Sequence, residues 1–167
     1  MIKFVGAVFI LLSASYIGFY KANTLRKRMV YLNNIRTSLH MLESEIFFSQ
    51  NILFRVFKRI SNLSDTCGLF SNAAEGINEF GIKRAWERAV DETYEKMCLK
   101  NQDREVLYIF GANLGMSDKE SQIKNIKHVV DMINSLYDGA AEDYKKNAGL
   151  YRSAGFLAGL FFAILLY

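Results

Sequence analysis

KESQIKNIKHVVDMINSLYDGAAEDYKKNAGLYRSAGFLAGLFFAILLY, Lys119 to Tyr167, decides the fold. Ile123, Ile126, Val130, Ile133, Tyr137, Ala140, Tyr144, Ala148 and Tyr151 advance by threes and fours, which lays one apolar stripe along a helix. From Ser153 onward no charge remains. The helix is therefore amphipathic first and apolar all round last. The uncharged part would be about 22 Å long, short against a hydrocarbon core of roughly 30 Å. Arg152 can snorkel to lengthen it, and Tyr151 and Tyr167 suit the two interfaces. A transmembrane helix over residues 151–167 is predicted, with a buried core helix as the alternative. In front of the stripe, Ser117-Asp118-Lys119-Glu120 fits a capping box. The Ser117 hydroxyl would accept from the amide of Glu120, and the Glu120 side chain would return to the amide of Ser117. Gln122 follows in the first turn, and Gly115 stops the helix before.

The other end of the chain mirrors this one. FVGAVFILLSASYIGFY, Phe4 to Tyr20, carries no charge and would span about 25 Å as a helix. A transmembrane helix over residues 1–22 is predicted. The rival is a cleaved leader, with Lys3 as its basic start and Ser13-Ala14-Ser15 as its cleavage site. The apolar run continues through Ile17 and Phe19 into a basic cluster, which favours a retained anchor. Leu25, Met29, Leu32, Ile35, Leu39, Leu42 and Ile46 then extend the helix with a second stripe. Small residues recur every four positions in both end segments, at Ala14 and Gly18 and at Gly155, Gly159 and Ala163. In lipid such a stripe lets helix backbones approach, so Gly155 and Gly159 are candidate transmembrane packing residues.

Orientation can be read twice. Lys21, Arg26, Lys27, Arg28 and Arg36 follow the first segment, and Lys145, Lys146 and Arg152 precede the second. Both biases place the middle of the chain in the cytoplasm and both termini outside. Arg26, Lys27 and Arg28 become candidates for contact with a membrane surface or a partner. Residues 1–60 carry a net charge of +7 and the remainder −3, against a total of +4. The basic helix suits an anionic leaflet, and no nucleic-acid reading motif accompanies it.

Residues 23–150 read as a cytoplasmic helical bundle. A break is expected at Ser49 to Asn51, a helix over 52–60, a loop at Ser61 to Asp65, and a helix over 66–80 closed by Gly81. An amphipathic helix through Trp86, Val90 and Met97 follows, and Asn101 opens another. The fold class is all-α: an antiparallel bundle of about six helices flanked by N- and C-terminal transmembrane helices. The composition agrees. Of 167 residues, 51% are hydrophobic, 23% are charged and none is proline, so disordered and low-complexity classes are excluded and long helices are permitted.

No catalytic, cofactor-binding or metal site is expected. His40 and His128 stand alone near apolar stripes and read as core or boundary residues. Glu43 and Glu45 lie two apart, so a helix turns them to different faces, Glu43 to solvent and Glu45 to a half-buried contact. Gly111-Ala112-Asn113-Leu114-Gly115 lacks the lysine and the strand of a phosphate loop. Cys67 and Cys98 have neither pairing nor metal-ligand spacing.

LHMLESEIFFSQNILFRVFKRI (Leu39 to Ile60), Ala85-Trp86 and FGANLGMSDKESQIKNI (Phe110 to Ile126) resemble the stage III sporulation protein AB family of endospore-forming bacteria. Both end segments match its anchors, so the resemblance covers the whole chain. Its most specific part is Leu114, Gly115, Ser117, Asp118 and Gln122. One departure is Asn51-Ile52-Leu53, where the family leads one to expect a proline. The resemblance implies a cytoplasmic domain similar to that of the inner-membrane platform proteins of type II secretion and type IV pilus systems. It also implies a cytoplasmic ATPase and other membrane subunits as partners, with the bilayer itself. It implies a place in the mother-cell membrane around the forespore, in a channel-like complex. A structural scaffold that oligomerises without an ATPase is the alternative.

Overall fold

Two stripes with no helix breaker in them become two long helices. A computed structural model describes residues 2–48, 53–115 and 118–166. Its helices are α1 (Ile2–Phe48), α2 (Leu53–Leu63), α3 (Leu69–Phe80), α4 (Ile82–Thr93), α5 (Asn101–Ala112) and α6 (Lys119–Leu166). The described residues are all-α, with six helices and no strand. The break expected at Ser49 to Asn51 and the Ser117 side of the capping box lie outside the described residues.

Several boundaries differ from expectation: α4 ends at Thr93, short of Met97, α5 ends at Ala112, short of Gly115, and the others lie around the loop after α2. Ser61, Asn62 and Leu63 belong to α2 rather than to a loop. The Ser61 hydroxyl donates back to the Lys58 carbonyl at 2.8 Å, so a loop-forming residue is absorbed into the last turn. The loop then runs from Ser64 to Gly68, and α3 starts later, at Leu69. Gly81 ends α3 as expected, with φ +75° and its amide donating to the Ile77 carbonyl at 3.0 Å.

The chain forms two compact units. One holds residues 1–29 and 139–167, the other residues 30–138. Chain order thus returns at its end to the unit in which it began, and α1 and α6 supply residues to both.

In the first unit, α1 and α6 pack antiparallel through small residues. A methyl group added at Gly155 would stand 2.8 Å from the Ala14 carbonyl oxygen and 2.9 Å from the Gly18 Cα. One added at Gly18 would stand 2.5 Å from the Tyr151 carbonyl oxygen, and one at Gly159 3.0 Å from the Leu11 Cα. The helices touch backbone to backbone, and only glycine permits it. Outward, Phe9, Leu12, Ile17, Leu157, Phe161 and Ile164 are exposed.

The second unit has the reverse arrangement. Leu32, Ile35, Leu39 and Leu42 of α1 are buried, with Ile126, Val130 and Ile133 of α6. Trp86 of α4 is fully enclosed by Phe57, Phe70 and Phe110, at ring-centroid distances of 5.7, 5.3 and 4.8 Å. Edge-on and tilted pairs of this kind stabilise beyond their buried area. The indole N–H donates to the Leu107 carbonyl at 2.7 Å, which satisfies the ring's one polar atom. Gly111 makes room for it: a methyl group there would lie 2.4 Å from Trp86 Cδ1.

One helix among the described residues, Glu120–Leu165, contains a stretch long and apolar enough to cross a membrane. The first segment does not reach that measure over its described residues.

Candidate functional site

Helical spacing decides where the singled-out side chains go. Glu43 and Glu45 part, as two residues on one helix must. Glu45 meets Arg59 of α2 at 2.7 Å, the half-buried contact expected of it. Glu43 is not simply solvated: it is largely covered, 3.6 Å from Lys127 and 3.7 Å from His40. His40 and His128 are both exposed, which corrects their reading as core or boundary residues. The apolar positions around them take the inward face, and each histidine falls one step outside it. Among the described residues, no group of three or more His, Cys, Asp or Glu side chains is placed to hold a metal ion. Cys67 and Cys98 are free.

Arg26 and Lys27 are exposed, as a surface contact requires. Arg28 departs from that set. It is 5% exposed and lies 3.6 Å from Asp143 of α6, within the first unit. A step of one residue turns a helical side chain by about 100°, and that carries Arg28 from the outer to the inner side. Its charge is engaged by a carboxylate far away in sequence, so nothing local in RKR announces it.

The turn before α6 is built from the motif residues. Gly115 has φ +74°, a conformation that L side chains rarely adopt. Asp118 caps α6, its carboxylate accepting from the Ser121 amide at 2.9 Å and from the Ser121 hydroxyl at 3.0 Å. These bonds, the amide's first, hold the Asp118 carboxyl below the usual range. Gln122 donates its amide to the Asp118 carbonyl at 3.0 Å, while Glu120 is exposed. Among the described residues the cap on α6 is Asp118, and the expected Ser117 cap lies outside them.

Sequence reading missed two polar arrangements. Asp103 is fully buried and accepts from the Lys100 amide at 2.8 Å, which ties down the start of α5. On the outer side of α4 and α5, Asp91 accepts from Arg104 and from the Tyr108 hydroxyl. The Arg104 guanidinium lies over the rings of Tyr94 and Tyr108, at 4.6 and 5.1 Å. Burial works against the charge on Asp91, but the bonds from Tyr108 and Arg104 outweigh it and hold its carboxyl below the usual value. The i,i+4 spacing of Arg104 and Tyr108 was the available signal; their common partner on α4 was not. An open depression of about 460 Å³ adjoins Asp91 and Tyr108, lined also by Lys83, Glu87, Ile109 and Ala112. Asp91, Arg104 and Tyr108 pair with one another.

The family model described as Stage III sporulation protein AB matches residues 3–167. Stage III sporulation protein AB of Bacillus subtilis (strain 168) is 31% identical over 170 residues, covering 99% of each chain. A solved structure of stage III sporulation protein AB matches with a TM-score of 0.66 and 26% identity. It covers 71% of this chain and 96% of its own.

Proposed function

This chain belongs to the stage III sporulation protein AB family, and on that premise we propose that it is a non-enzymatic membrane platform that docks a cytoplasmic ATPase. One observation carries the reading. Two unbroken helices, α1 and α6, each supply residues both to a hairpin with apolar side chains outside and to a bundle with aromatic side chains inside. A hairpin of that kind suits lipid, and a bundle in which the described residues organise no chemical site suits a binding role.

In this proposal residues 1–22 and 151–167 both span the mother-cell membrane around the forespore. Residues 23–150 are cytoplasmic and both termini lie outside, as the basic residues flanking each segment direct. The bundle holds the ATPase, and α1 and α6 pass its conformational work to the other membrane subunits of a secretion-like complex. Pull-down of the tagged full-length chain from sporulating cells tests the docking. The ATPase is expected to co-purify, and to be lost when exposed charges of α3 and α4 such as Glu75, Glu79 and Lys83 are reversed. Self-association without the ATPase would replace the platform with a scaffold. Transmission has its own test. A flexible Gly-Ser insert between Tyr20 and Leu25 is expected to abolish spore formation while the protein still folds and inserts. Normal spores from that variant would end the idea.

A further inference from the structure

The antiparallel hairpin fixes which residues of α1 and α6 share a level. Gly18 packs on Gly155, the Arg152 guanidinium lies 5.8 Å from the centre of the Phe19 ring, and Arg28 meets Asp143. A step along one helix is matched by a step back along the other. Arg26 and Lys27 therefore stand level with Lys145 and Lys146, and Lys21 lies close to the level of Arg152.

Two basic clusters more than a hundred residues apart in sequence are thus folded onto one belt. It runs from Phe19 to Arg28 on α1, about 13 Å at 1.5 Å per residue. Lys21, Arg26, Lys27, Lys145, Lys146 and Arg152 are all exposed on it. Little acid offsets them there. Asp143 is engaged by the buried Arg28, and Glu142 pairs with Lys146. The other five exceed what the hairpin's own carboxylates can neutralise.

What lies above the belt identifies its partner. Tyr16 and Tyr20 are exposed and stacked at 6.5 Å, and Tyr151 is exposed beside them in chain order with Arg152. Beyond the tyrosines, toward the chain ends, come the exposed Val8, Phe9, Leu12, Leu160, Phe161 and Ile164. Apolar band, aromatic ring and cations succeed one another in the order of acyl chains, interface and headgroups of one leaflet.

We propose that this two-helix belt is a collar for the phosphate-bearing headgroups of anionic phospholipid. The proposal rests on the reading that the hairpin lies in a bilayer. It differs from a basic stretch following an anchor because cations of α6 are as much a part of it as those of α1, and because Arg28 is not.

The full-length chain, reconstituted in phosphatidylcholine vesicles with trace spin-labelled lipid, provides the test. Electron spin resonance resolves the motionally restricted lipid at the protein boundary. Labelled phosphatidylglycerol is expected to associate severalfold more strongly than labelled phosphatidylcholine, with the preference falling as salt rises. The triple variant Lys21→Gln, Arg26→Gln, Lys27→Gln should lose part of it. Lys145→Gln with Arg152→Gln should lose a further part, and arginine at the lysine positions should restore it. Equal association of the two lipids, or a preference untouched by the α6 substitutions, would overturn the collar. So would an unchanged lipid preference in the glutamine variants together with loss of a protein that co-purifies from cells, which would assign the belt to an acidic partner surface. If the glutamine variants do not insert, the salt dependence of the unaltered chain decides alone. Alkaline carbonate extraction separates the two levels of failure. A chain washed out of the vesicles refutes the membrane reading itself, and a chain retained without lipid preference refutes only the collar.

Discussion

The hairpin and the bundle solve opposite problems with the same device. Each brings helices close by omitting a side chain, at Gly18 and Gly155 in the hairpin and at Gly111 in the bundle. In the hairpin the space is taken by another backbone, and the large side chains face outward. In the bundle the space is taken by Trp86, and the large side chains face inward. Glycine is therefore uninformative until its neighbour is known. Across α1 and α6 it marks a crossing with little side chain in it, and across α4 and α5 it marks a socket for the largest one.

Removing the occupant of the socket should have the largest effect. Trp86→Ala is expected to destabilise the bundle by about 3–5 kcal/mol, read as a lower midpoint in thermal circular dichroism of the full-length chain. A loss below about 1 kcal/mol would mean that the aromatic cluster repacks freely.

Filling the glycine positions comes next. Gly111→Ala gains about 1 kcal/mol in helix propensity but loses roughly 1–3 kcal/mol by overpacking. The clash should win, because Trp86 is held by three rings and by its bond to Leu107. Trp86 is the chain's single tryptophan, so its fluorescence reports on the bundle. Gly155→Leu should leave that midpoint within about 0.5 kcal/mol, as expected for distant, independent sites. Equal losses from both substitutions would erase the distinction between the two regions.

The smallest effect concerns acid. The Asp91 carboxyl is held below its ordinary value of 3.8. Its contribution is complete above that value and is lost as pH falls through the lower folded one. Asp91→Asn should be slightly less stable than the unaltered chain at neutral pH, and the two should converge as the pH falls through the lowered folded value. A gap that stays constant down to that point would mean Asp91 acts through shape rather than charge.

The apolar pattern was legible because it is periodic. Leu32, Ile35, Leu39 and Leu42 lie buried on the predicted stripe, and Gly81 and Asn101 mark the ends they were expected to mark. Polar side chains were read less well because their placement depends on partners remote in sequence. Arg28 waits for Asp143, and Asp91 for Arg104 and Tyr108. Near the end of α2 the limit was local: the Ser61 hydroxyl serves the backbone, so the helix runs past the point where the pattern alone would end it.

Both ends of the chain belong to one unit, and this imposes an order on synthesis. Met29 leaves the ribosome with its hairpin partner still unmade, and all of residues 30–138 must follow before Gly139 appears. At roughly 5–20 residues per second the wait is on the order of ten seconds. Throughout it, Gly18 faces no Gly155, and Arg28 has no Asp143 to neutralise it. The bundle shares the delay, since α6 supplies Ile126, Val130 and Ile133 to its core. Newborn chains are therefore open on two fronts at once, and both close with the same helix.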